Sequence, residues 1–333
     1  MIEVENLTKK YGERTAVNRI SFSVRKGEVI GFLGPNGAGK STTLRMLTGY
    51  LKPTAGSIRV NGIDAVRDPI GARRSIGYLP ESVPLYGEMR VDEYLRYRAS
   101  LKGVRRSQVA GRVDASLQLA NVADVRHRII GQLSKGYRSR VGIADAIVAD
   151  PPLLVLDEPT AGLDPNQIRQ VRDLIRAIAG DKTVMLSTHI LPEVESTCGR
   201  VLIINRGELV GEGAPGELRV AEQGGQLLLV ESRGERDRIE AILRAVPGVR
   251  GLREVLPLEA ADAALFRIRI EVDGPAVAEA VSASLAAAGL PLRELHREQS
   301  TLEDVFATLT TRDLAHEPID AEPPSQPIAA EGP

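Results

Sequence analysis

The chain has 333 residues, of which 43% are hydrophobic and 26% charged, a composition typical of a globular protein with a sizeable core. Its 43 lysines and arginines balance 44 aspartates and glutamates, which leaves no basic footprint for nucleic acid, and we expect no nucleic-acid partner. The apolar runs are far shorter than the roughly 20 residues of a membrane-spanning helix, and the first residues lack the pattern of a secretory signal.

The single cysteine, Cys198, cannot form a disulfide within the chain, and this fits a reducing compartment. We expect its side chain to be a small buried group rather than a catalytic one. The sequence therefore predicts a cytoplasmic protein.

Up to about Gly213, short β-like runs alternate with helical stretches, the pattern of a largely parallel sheet covered by helices. The predicted strands are 21–24, 29–33, 57–60, 76–79, 153–156, 184–187 and 200–205. The predicted helices are 40–50, 91–101, 106–119, 134–148, 166–179 and 191–197. The stretch 207–216 is rich in glycine and carries a proline, so we interpret it as a turn and a domain boundary.

A second pattern follows this boundary. Strands are predicted at 226–231, 249–256, 264–272 and 292–297, and helices at 235–245, 276–288 and 302–309. The order βαββαβ is typical of a ferredoxin-like α+β domain. The sequence thus predicts a first domain over residues 1–216 and an accessory domain over 217–312. Residues 313–333 contain acids and prolines but no lysine or arginine, so we predict a disordered tail.

Residues 34–41 read Gly-Pro-Asn-Gly-Ala-Gly-Lys-Ser, which matches the phosphate-loop pattern G-x-x-x-x-G-K-[ST]. They follow the predicted strand 29–33 and lead into the helix 40–50, the context that the pattern requires. Glycines permit a backbone nest of N–H donors, and the helix N-terminus favours an anion at the same point. Lys40 would supply a positive charge for the outer phosphates, and Ser41 a hydroxyl for Mg²⁺.

Two acids end the apolar run Leu153–Leu156. Asp157 would emerge beside the phosphate loop, because ligands in such sheets lie beyond the carboxyl ends of the strands. A carboxylate there can hold Mg²⁺ directly or through water. Glu158 would point elsewhere and could polarise an attacking water. His189 follows the predicted strand 184–187. A loop histidine is more often solvated than functional, and only the nearby phosphate loop and acids favour a functional role here.

Leu133-Ser134-Lys135-Gly136-Tyr137 precedes the acidic strand, and Ala161-Gly162-Leu163-Asp164-Pro165 follows it. With the phosphate loop and His189, these segments make residues 2–213 resemble the ATPase domain of ABC transporters, whose signature is Leu-Ser-Gly-Gly-Gln. The resemblance implies an α/β fold of the ABC-type P-loop NTPase class. It comprises a parallel core sheet with helices, an antiparallel β subdomain and a helical signature subdomain. Here the small C-terminal α+β domain would be added.

The resemblance also implies roles for individual residues, with ATP and Mg²⁺ as the cofactors. Tyr11 would stack on adenine, Asp157 would hold Mg²⁺, Glu158 would be the general base, and His189 would contact the γ-phosphate together with Lys40. The phosphate-binding residues would be Gly34, Pro35, Asn36, Gly37, Ala38, Gly39, Lys40, Ser41 and Thr42. In this family a second copy completes the site, so Ser134 and Gly136 would touch the partner's nucleotide, and Asp164 would lie at the dimer seam.

Three positions depart from the family pattern. Lys135 replaces the first glycine of the signature and Tyr137 its glutamine, whereas Ser134 and Gly136 remain. Lys135 would either add charge near the phosphate or simply be solvated. Glu81 stands where the family usually has glutamine. It keeps an oxygen that could ligate Mg²⁺ or orient water, but it adds a negative charge whose protonation state the sequence leaves open.

The sequences of 78–81, 84–86 and 133–137 resemble the gliding-motility and copper-processing branch of exporter ATPases, and that of 301–306 resembles the ending of drug- and polysaccharide-exporter ATPases. We therefore expect an integral membrane permease subunit as partner, docked near 82–89, with the chain peripheral on the inner face of the cell membrane. The alternative is a soluble ABC ATPase acting on a ribosome or DNA complex. No long heptad segment separates the phosphate loop from the signature, and only one phosphate loop is present. A GTPase-like switch lacks the Asn-Lys-x-Asp guanine signal.

Overall fold

The computed structural model describes residues 1–221, 226–259, 262–274, 276–298 and 301–311. The predicted disordered tail, 313–333, lies outside these ranges. Within them, no helix is long and apolar enough to cross a bilayer.

The centre of the molecule is a six-stranded sheet of order β10-β9-β3-β8-β7-β6, in which all neighbours are parallel except β10 and β9. Strands β7 and β8 are buried along their whole length, as expected for parallel strands covered on both faces. The strands are β3 (Val29–Leu33), β6 (Ile76–Leu79), β7 (Leu153–Asp157), β8 (Thr183–Thr188), β9 (Arg200–Asn205) and β10 (Glu208–Gly213).

A four-stranded antiparallel sheet of order β2-β1-β4-β5 packs against one face of the central sheet. Its buried residues, such as Ile2 and Phe22, share one hydrophobic cluster with Ile30 and Phe32 of β3 and with Leu44 of the first helix. The strands are β1 (Ile2–Tyr11), β2 (Arg14–Val24), β4 (Ala55–Val60) and β5 (Ile63–Asp64). The predicted antiparallel subdomain is therefore present.

Helices cover the sheets and form a separate helical layer of α3, α4 and α5. Asp145 on α5 binds Arg98 of α3 through two hydrogen bonds of 3.0 Å and also pairs with Lys102 at 2.9 Å. This buried carboxylate ties the signature helix to its neighbour. The helices are α1 (Lys40–Leu47), α2 (Pro69–Arg74), α3 (Val91–Leu101), α4 (Arg106–Leu119), α5 (Lys135–Ile147), α6 (Pro165–Ala179) and α7 (Leu191–Thr197), with 3₁₀ turns at Ala123–Val125 and Ile130–Gln132.

The C-terminal part has its own four-stranded antiparallel sheet of order β12-β13-β11-β14, covered on one face by α9 and α10. In β13, Ile268, Ile270 and Val272 are buried, whereas Arg267 and Arg269 lie on the other face, as the alternation predicted. The elements are β11 (Gln226–Arg233), α9 (Arg236–Ala245), β12 (Val249–Glu259), β13 (Asp262–Val272), α10 (Val277–Ala287) and β14 (Leu292–Glu298). Their order and antiparallel pairing are those of a ferredoxin-like unit.

Two features around this unit differ from the sequence-based interpretation. The stretch 207–216 is not only a turn: β10 pairs with β9 at the sheet edge, and α8 (Pro215–Ala221) follows it. The sequence did not predict this strand, because Gly211 and Gly213 have no side chains that could show the alternation of a strand. The last helix, α11 (Leu302–Thr311), buries Leu302, Val305 and Leu309 in the cluster of the helical layer and central sheet, not in the C-terminal core.

Candidate active site

The phosphate-loop segment connects β3 to α1 at the carboxyl end of the central sheet. Gly37 and Gly39 have φ angles of 81° and 108°, which favour glycine. A Cβ at Gly39 would also lie only 2.7 Å from the Ala16 carbonyl oxygen. The N-cap of α1 is Gly39, which has no side chain to cap the helix, so the first turn faces the loop with the positive end of the helix dipole.

Lys40 lies across the inside of this loop. Its Nζ donates to the carbonyl oxygens of Gly34 at 2.7 Å and Pro35 at 3.3 Å. The same Nζ is 3.6 Å from Glu158 Oε1, and both side chains are more than nine-tenths buried. A buried ammonium group thus stands at the point where the loop is shaped to receive an anion.

The end of β7 brings an acid to this loop. Asp157 Oδ1 accepts hydrogen bonds from Ser187 Oγ at 2.6 Å and from Ser41 Oγ at 3.3 Å, and the side chain is buried. The next residue, Glu158, has a φ of 50°, in the left-handed region that non-glycine residues rarely adopt. Its backbone N–H donates to both the carbonyl oxygen and Oγ of Ser187, each at 3.1 Å.

The turn at Glu158 directs its carboxylate toward the histidine that follows β8. Glu158 Oε2 lies 2.8 Å from His189 Nδ1, while the other carboxylate oxygen faces Lys40. The imidazole is about half exposed, so one end of this chain of polar groups reaches solvent and the other is buried. A carboxylate held between an ammonium and an imidazole can accept a proton from a molecule bound beside it.

These groups surround one open cleft of about 580 Å³. Tyr11 lies at its rim, half exposed. The lining residues are Tyr11, Arg14, Ala16, Asn36, Gly37, Gly39, Lys40, Ser41, Thr42, Glu81, Glu158, Ala161 and His189. The cleft therefore unites most of the predicted site residues, whereas Arg14 and Ala16 belong to no sequence motif.

Seven predicted residues do not line this cleft. Four of them, Gly34, Pro35, Ala38 and Asp157, are within two residues of lining residues in the chain. The other three, Ser134, Gly136 and Asp164, lie at the starts of α5 and α6. Ser134 caps α5, where its Oγ accepts from the Tyr137 N–H at 3.3 Å, and Asp164 caps α6, where Oδ1 accepts from the N–H groups of Asn166 and Gln167 at 2.9 Å. Gly136 packs so closely on Gln167 that a Cβ would lie 2.5 Å from its Oε1. Within one copy of the chain, these residues contribute to helix ends rather than to the cleft.

The two charged departures flank a second cleft of about 580 Å³, which shares Glu81, Glu158 and Ala161 with the first. Glu81 lies at the junction and is exposed. Lys135 follows the cap of α5, and its Nζ lies where a Cβ on Gly162 would stand. The structure thus places Lys135 beside the segment that follows Glu158.

Several polar groups around the site escaped the sequence analysis. Ser187 bonds both Asp157 and the Glu158 backbone, and its position at the end of an apolar strand could have revealed it. Glu193 on α7 accepts from the hydroxyls of Thr160 and Thr188, at 2.9 and 3.1 Å. Burial raises the pKa of Glu193, and the Glu158 charge adds to this. A single acid on a short helix carries no sequence signal.

Together, the fold and the cleft define a nucleotide-binding P-loop protein of the NTPase class. Comparison with known proteins narrows the class. The ABC transporter family profile matches residues 17–161. The Nod factor export ATP-binding protein I of Ralstonia nicotianae is 35% identical over 94% of this chain and 95% of its own. The daunorubicin/doxorubicin resistance ATP-binding protein of Streptomyces peucetius is 34% identical, over 93% and 92%.

Solved structures agree with these relatives. An ATP-binding subunit of an ABC transporter superposes with a TM-score of 0.61 at 31% identity, covering 66% of this chain and 92% of its own. A dimeric ATP-binding cassette in a post-hydrolysis state with ADP and Pi gives a TM-score of 0.59 at 26% identity, over 64% and 98%.

The chain belongs to the ABC transporter ATP-binding proteins. It is an ATP-binding and ATP-hydrolysing subunit, and subunits of this family work with membrane components. One solved structure that resembles this chain is a dimer. A second copy of the chain is therefore relevant to Ser134, Gly136 and Asp164, which do not line the cleft.

Proposed function

We propose that the chain energises export by a separate integral membrane permease, to which it binds as a peripheral protein on the inner face of the cell membrane. Relatives that match it along nearly the whole chain are named for Nod factor export and for daunorubicin resistance. The observation that carries the catalytic part is the convergence of four side chains at the phosphate loop: Lys40, Glu158 and His189, which line the cleft, and Asp157, which accepts from Ser41.

In this proposal the cleft holds ATP from the adenine to the γ-phosphate. Tyr11 at the rim stacks on the adenine, because an exposed aromatic ring beside the loop offers a flat apolar face. The loop backbone from Gly34 to Thr42 and the free N-terminus of α1 bind the phosphates. Lys40, already buried within the loop, exchanges its carbonyl contacts for the outer phosphates.

Mg²⁺ fits the donors present. Ser41 Oγ and Asp157 Oδ1 are hard oxygen donors 3.3 Å apart, and Glu81 lines the same cleft. The described residues contain no group of three or more His, Cys, Asp or Glu able to hold a metal by themselves. This suits Mg²⁺, which keeps water and phosphate oxygens as ligands. When bound, the ion would neutralise the charge that develops on the phosphates.

Glu158 is the proposed general base. Its carboxylate is fixed on both sides, by Lys40 at 3.6 Å and by His189 at 2.8 Å, and it borders the cleft. It would orient the attacking water and take its proton at a carboxylate oxygen. His189, exposed toward the cleft, would donate to the γ-phosphate and so sense whether that phosphate is present.

We further propose that two copies share each nucleotide. Ser134 and Gly136 are too far along the helical layer to line their own copy's cleft, yet they begin a helix, and a helix N-terminus attracts phosphate. They would complete the cleft of the second copy, with Asp164 at the seam between copies. The solved dimeric cassette that resembles this chain supports this arrangement.

The proposed division of labour assigns residues 1–216 to the ATPase domain, 217–312 to an accessory domain and 313–333 to a tail. The isolated hydrophobic cluster of the ferredoxin-like unit supports a separate accessory core. Because α11 packs on the central sheet, the chain returns to the ATPase domain at its end. The accessory unit is thereby attached to the ATPase domain at both of its ends.

For the permease, we propose an exposed apolar stripe as the docking surface. The rings of Tyr86 and Tyr97 are in contact, with centroids 5.9 Å apart and planes inclined by 44°. Leu101, one turn further along α3 from Tyr97, lines a cavity of about 480 Å³ with Ile70. All four side chains are exposed, and aromatic and aliphatic residues in one patch are typical of protein interfaces.

The test is co-purification of the full chain with membrane proteins from detergent-solubilised membranes. Leu101→Asp should reduce recovery of an integral membrane partner about tenfold without changing ATP binding. Leu119→Asp is the matched control, since Leu119 is also exposed but lies on α4, outside the stripe. Recovery of ribosomes or DNA complexes instead of a membrane protein would reject the proposed partner.

A further inference from the structure

Glu193 is a buried carboxylate to which the proposed chemistry gives no role. It lies on α7 with 4% of its surface exposed. Its Oε2 accepts hydrogen bonds from Thr160 Oγ1 at 2.9 Å and from Thr188 Oγ1 at 3.1 Å, and both threonines are buried. One oxygen thus joins two segments that are distant in sequence.

These two segments carry the reacting groups. Thr160 follows Glu158 by two residues, and Thr188 immediately precedes His189. The Thr188 hydroxyl also accepts from the Ile190 N–H at 3.0 Å. The Thr188 hydroxyl therefore links Glu193 to the Ile190 N–H, on the other side of His189.

The Glu158–His189 contact needs such support. Glu158 adopts a φ of 50°, a conformation that costs energy for a residue with a side chain and persists only where surrounding contacts enforce it. On its N-terminal side Ser187 binds the Glu158 backbone. On its C-terminal side the turn is closed by the Ala161 N–H to Glu158 carbonyl bond at 3.1 Å, and Thr160 inside that turn is the residue that Glu193 binds.

We propose that Glu193 is a positioning residue for hydrolysis, which holds the Glu158 turn and the His189 segment together so that their side chains meet at 2.8 Å. The proposal rests on the roles assigned above to Glu158 and His189. Glu193 touches neither nucleotide nor the reacting groups themselves. It acts through the two threonine hydroxyls.

The chemistry of the pocket indicates how Glu193 can be tested. The pKa of its carboxyl is raised, by burial first and also by the nearby Glu158 charge. The hydrogen bonds from Thr160 and Thr188 and the nearby His189 offset part of this rise. Among the described residues Glu193 Oε1 has no hydrogen-bond partner. Glutamine has the same shape and can offer its carbonyl oxygen to both threonines, so Glu193→Gln keeps the clamp, whereas Glu193→Leu removes it at similar volume.

The first measurement is steady-state ATP hydrolysis by the full chain. We expect Glu193→Leu to lower kcat about 10- to 100-fold with KM for ATP changed less than about threefold, because the lost alignment affects the reacting groups and not the phosphate loop. Glu193→Gln should stay within about threefold of the original chain. An unchanged kcat in Glu193→Leu, or a rise in KM alone, would overturn the proposal.

A double-mutant cycle separates positioning from general loss of structure. In a His189→Ala background the contact that Glu193 aligns is already gone, so adding Glu193→Leu should lower the single-turnover rate less than about threefold further. Full multiplication of the two losses would mean that Glu193 acts independently of His189. If Glu193→Leu does not fold, the cycle is run with Thr160→Val/Thr188→Val. This double variant replaces the two hydroxyl groups by methyl groups of similar size.

Glu158→Gln distinguishes this proposal from the one on which it rests. If that variant hydrolyses ATP normally, the role assigned to Glu158 is wrong, and the positioning role proposed for Glu193 is rejected as well. If Glu158→Gln is inactive while Glu193→Leu and the threonine pair are fully active, only the positioning proposal is rejected.

Discussion

The nucleotide cleft and the open face of the C-terminal sheet both bring acids and bases together, yet they do so in opposite ways. Around the phosphate loop, Lys40, Asp157 and Glu158 are almost completely buried; Lys40 pairs with Glu158, and Ser187 binds Asp157. On the sheet face, Arg267 and Arg253 are 45% and 66% exposed, and each pairs with one acid across neighbouring strands. Burial of charge is costly, so burial of both the acids and the lysine at the loop indicates a site built for chemistry. On the sheet face the arginines stay exposed even where their partner, such as Glu231, is buried.

The largest effect that this comparison predicts is at Lys40. Lys40→Ala should lower ATP hydrolysis at least about 100-fold, because it removes the only ammonium group in the cleft among the described residues. The measurement is phosphate release by the purified full chain. Lys26→Ala is the control for loss of an exposed lysine that lines neither cleft. Normal turnover by Lys40→Ala would reject the assigned site.

A smaller effect is expected at Ser134, where the shared-site proposal and simple helix capping make different predictions. Aspartate and asparagine cap helices about as well as serine, so neither should disturb α5. If Ser134 faces the partner's phosphates, Ser134→Asp should reduce hydrolysis about tenfold or more through charge repulsion, while Ser134→Asn stays within about threefold. Equal activity of the two variants would leave Ser134 as a cap only.

The smallest effect belongs to the C-terminal sheet. Arg267 donates to Glu231 Oε1 at 2.6 and 2.8 Å, and Glu231 is buried, so Arg267→Ala leaves a poorly compensated carboxylate. Because Arg267 is itself nearly half exposed, we expect a loss of only about 1–2 kcal/mol in the free energy of unfolding. Arg253→Ala, at a more exposed pair, should cost less than about 0.5 kcal/mol. Both should hydrolyse ATP normally.

Cys198 allows the two regions to be followed separately in these variants. The thiol is buried beside Gly31 of β3, and burial raises its pKa to about 12. It should therefore react with thiol reagents at pH 8 only when the central sheet opens. Arg267→Ala should melt at lower temperature with unchanged Cys198 labelling. Faster labelling would mean that the two regions unfold together.

Most of the predicted site residues meet at one cleft because they belong to short local patterns. The topology brings these groups together at the carboxyl ends of parallel strands. They are the phosphate loop after β3, the acids at the end of β7 and His189 after β8. Arg14 and Glu193 were not predicted, since each reaches the site through tertiary packing and not through a motif. Ser187 was not predicted either, although it lies at the end of the apolar strand β8. The β10 strand was missed because its two glycines carry no alternation.

The C-terminal unit shows the same limit at a larger scale. Its βαββαβ order and the alternating residues of β13 were readable from hydrophobic periodicity. The destination of α11 was not. Its buried face of Leu302, Val305 and Leu309 would suit either core, and only the path of the chain decides that it packs against the central sheet.

In the proposed shared site, two copies of the chain close around ATP, and each completes the other's cleft. Glu158→Gln tests it most directly, because the amide should leave binding intact while removing the proposed base and slowing hydrolysis about 100-fold or more. Light scattering on a gel-filtration column with Mg-ATP should show this variant as a stable dimer, and as a monomer with ADP. A variant that binds ATP and stays monomeric would contradict the shared site.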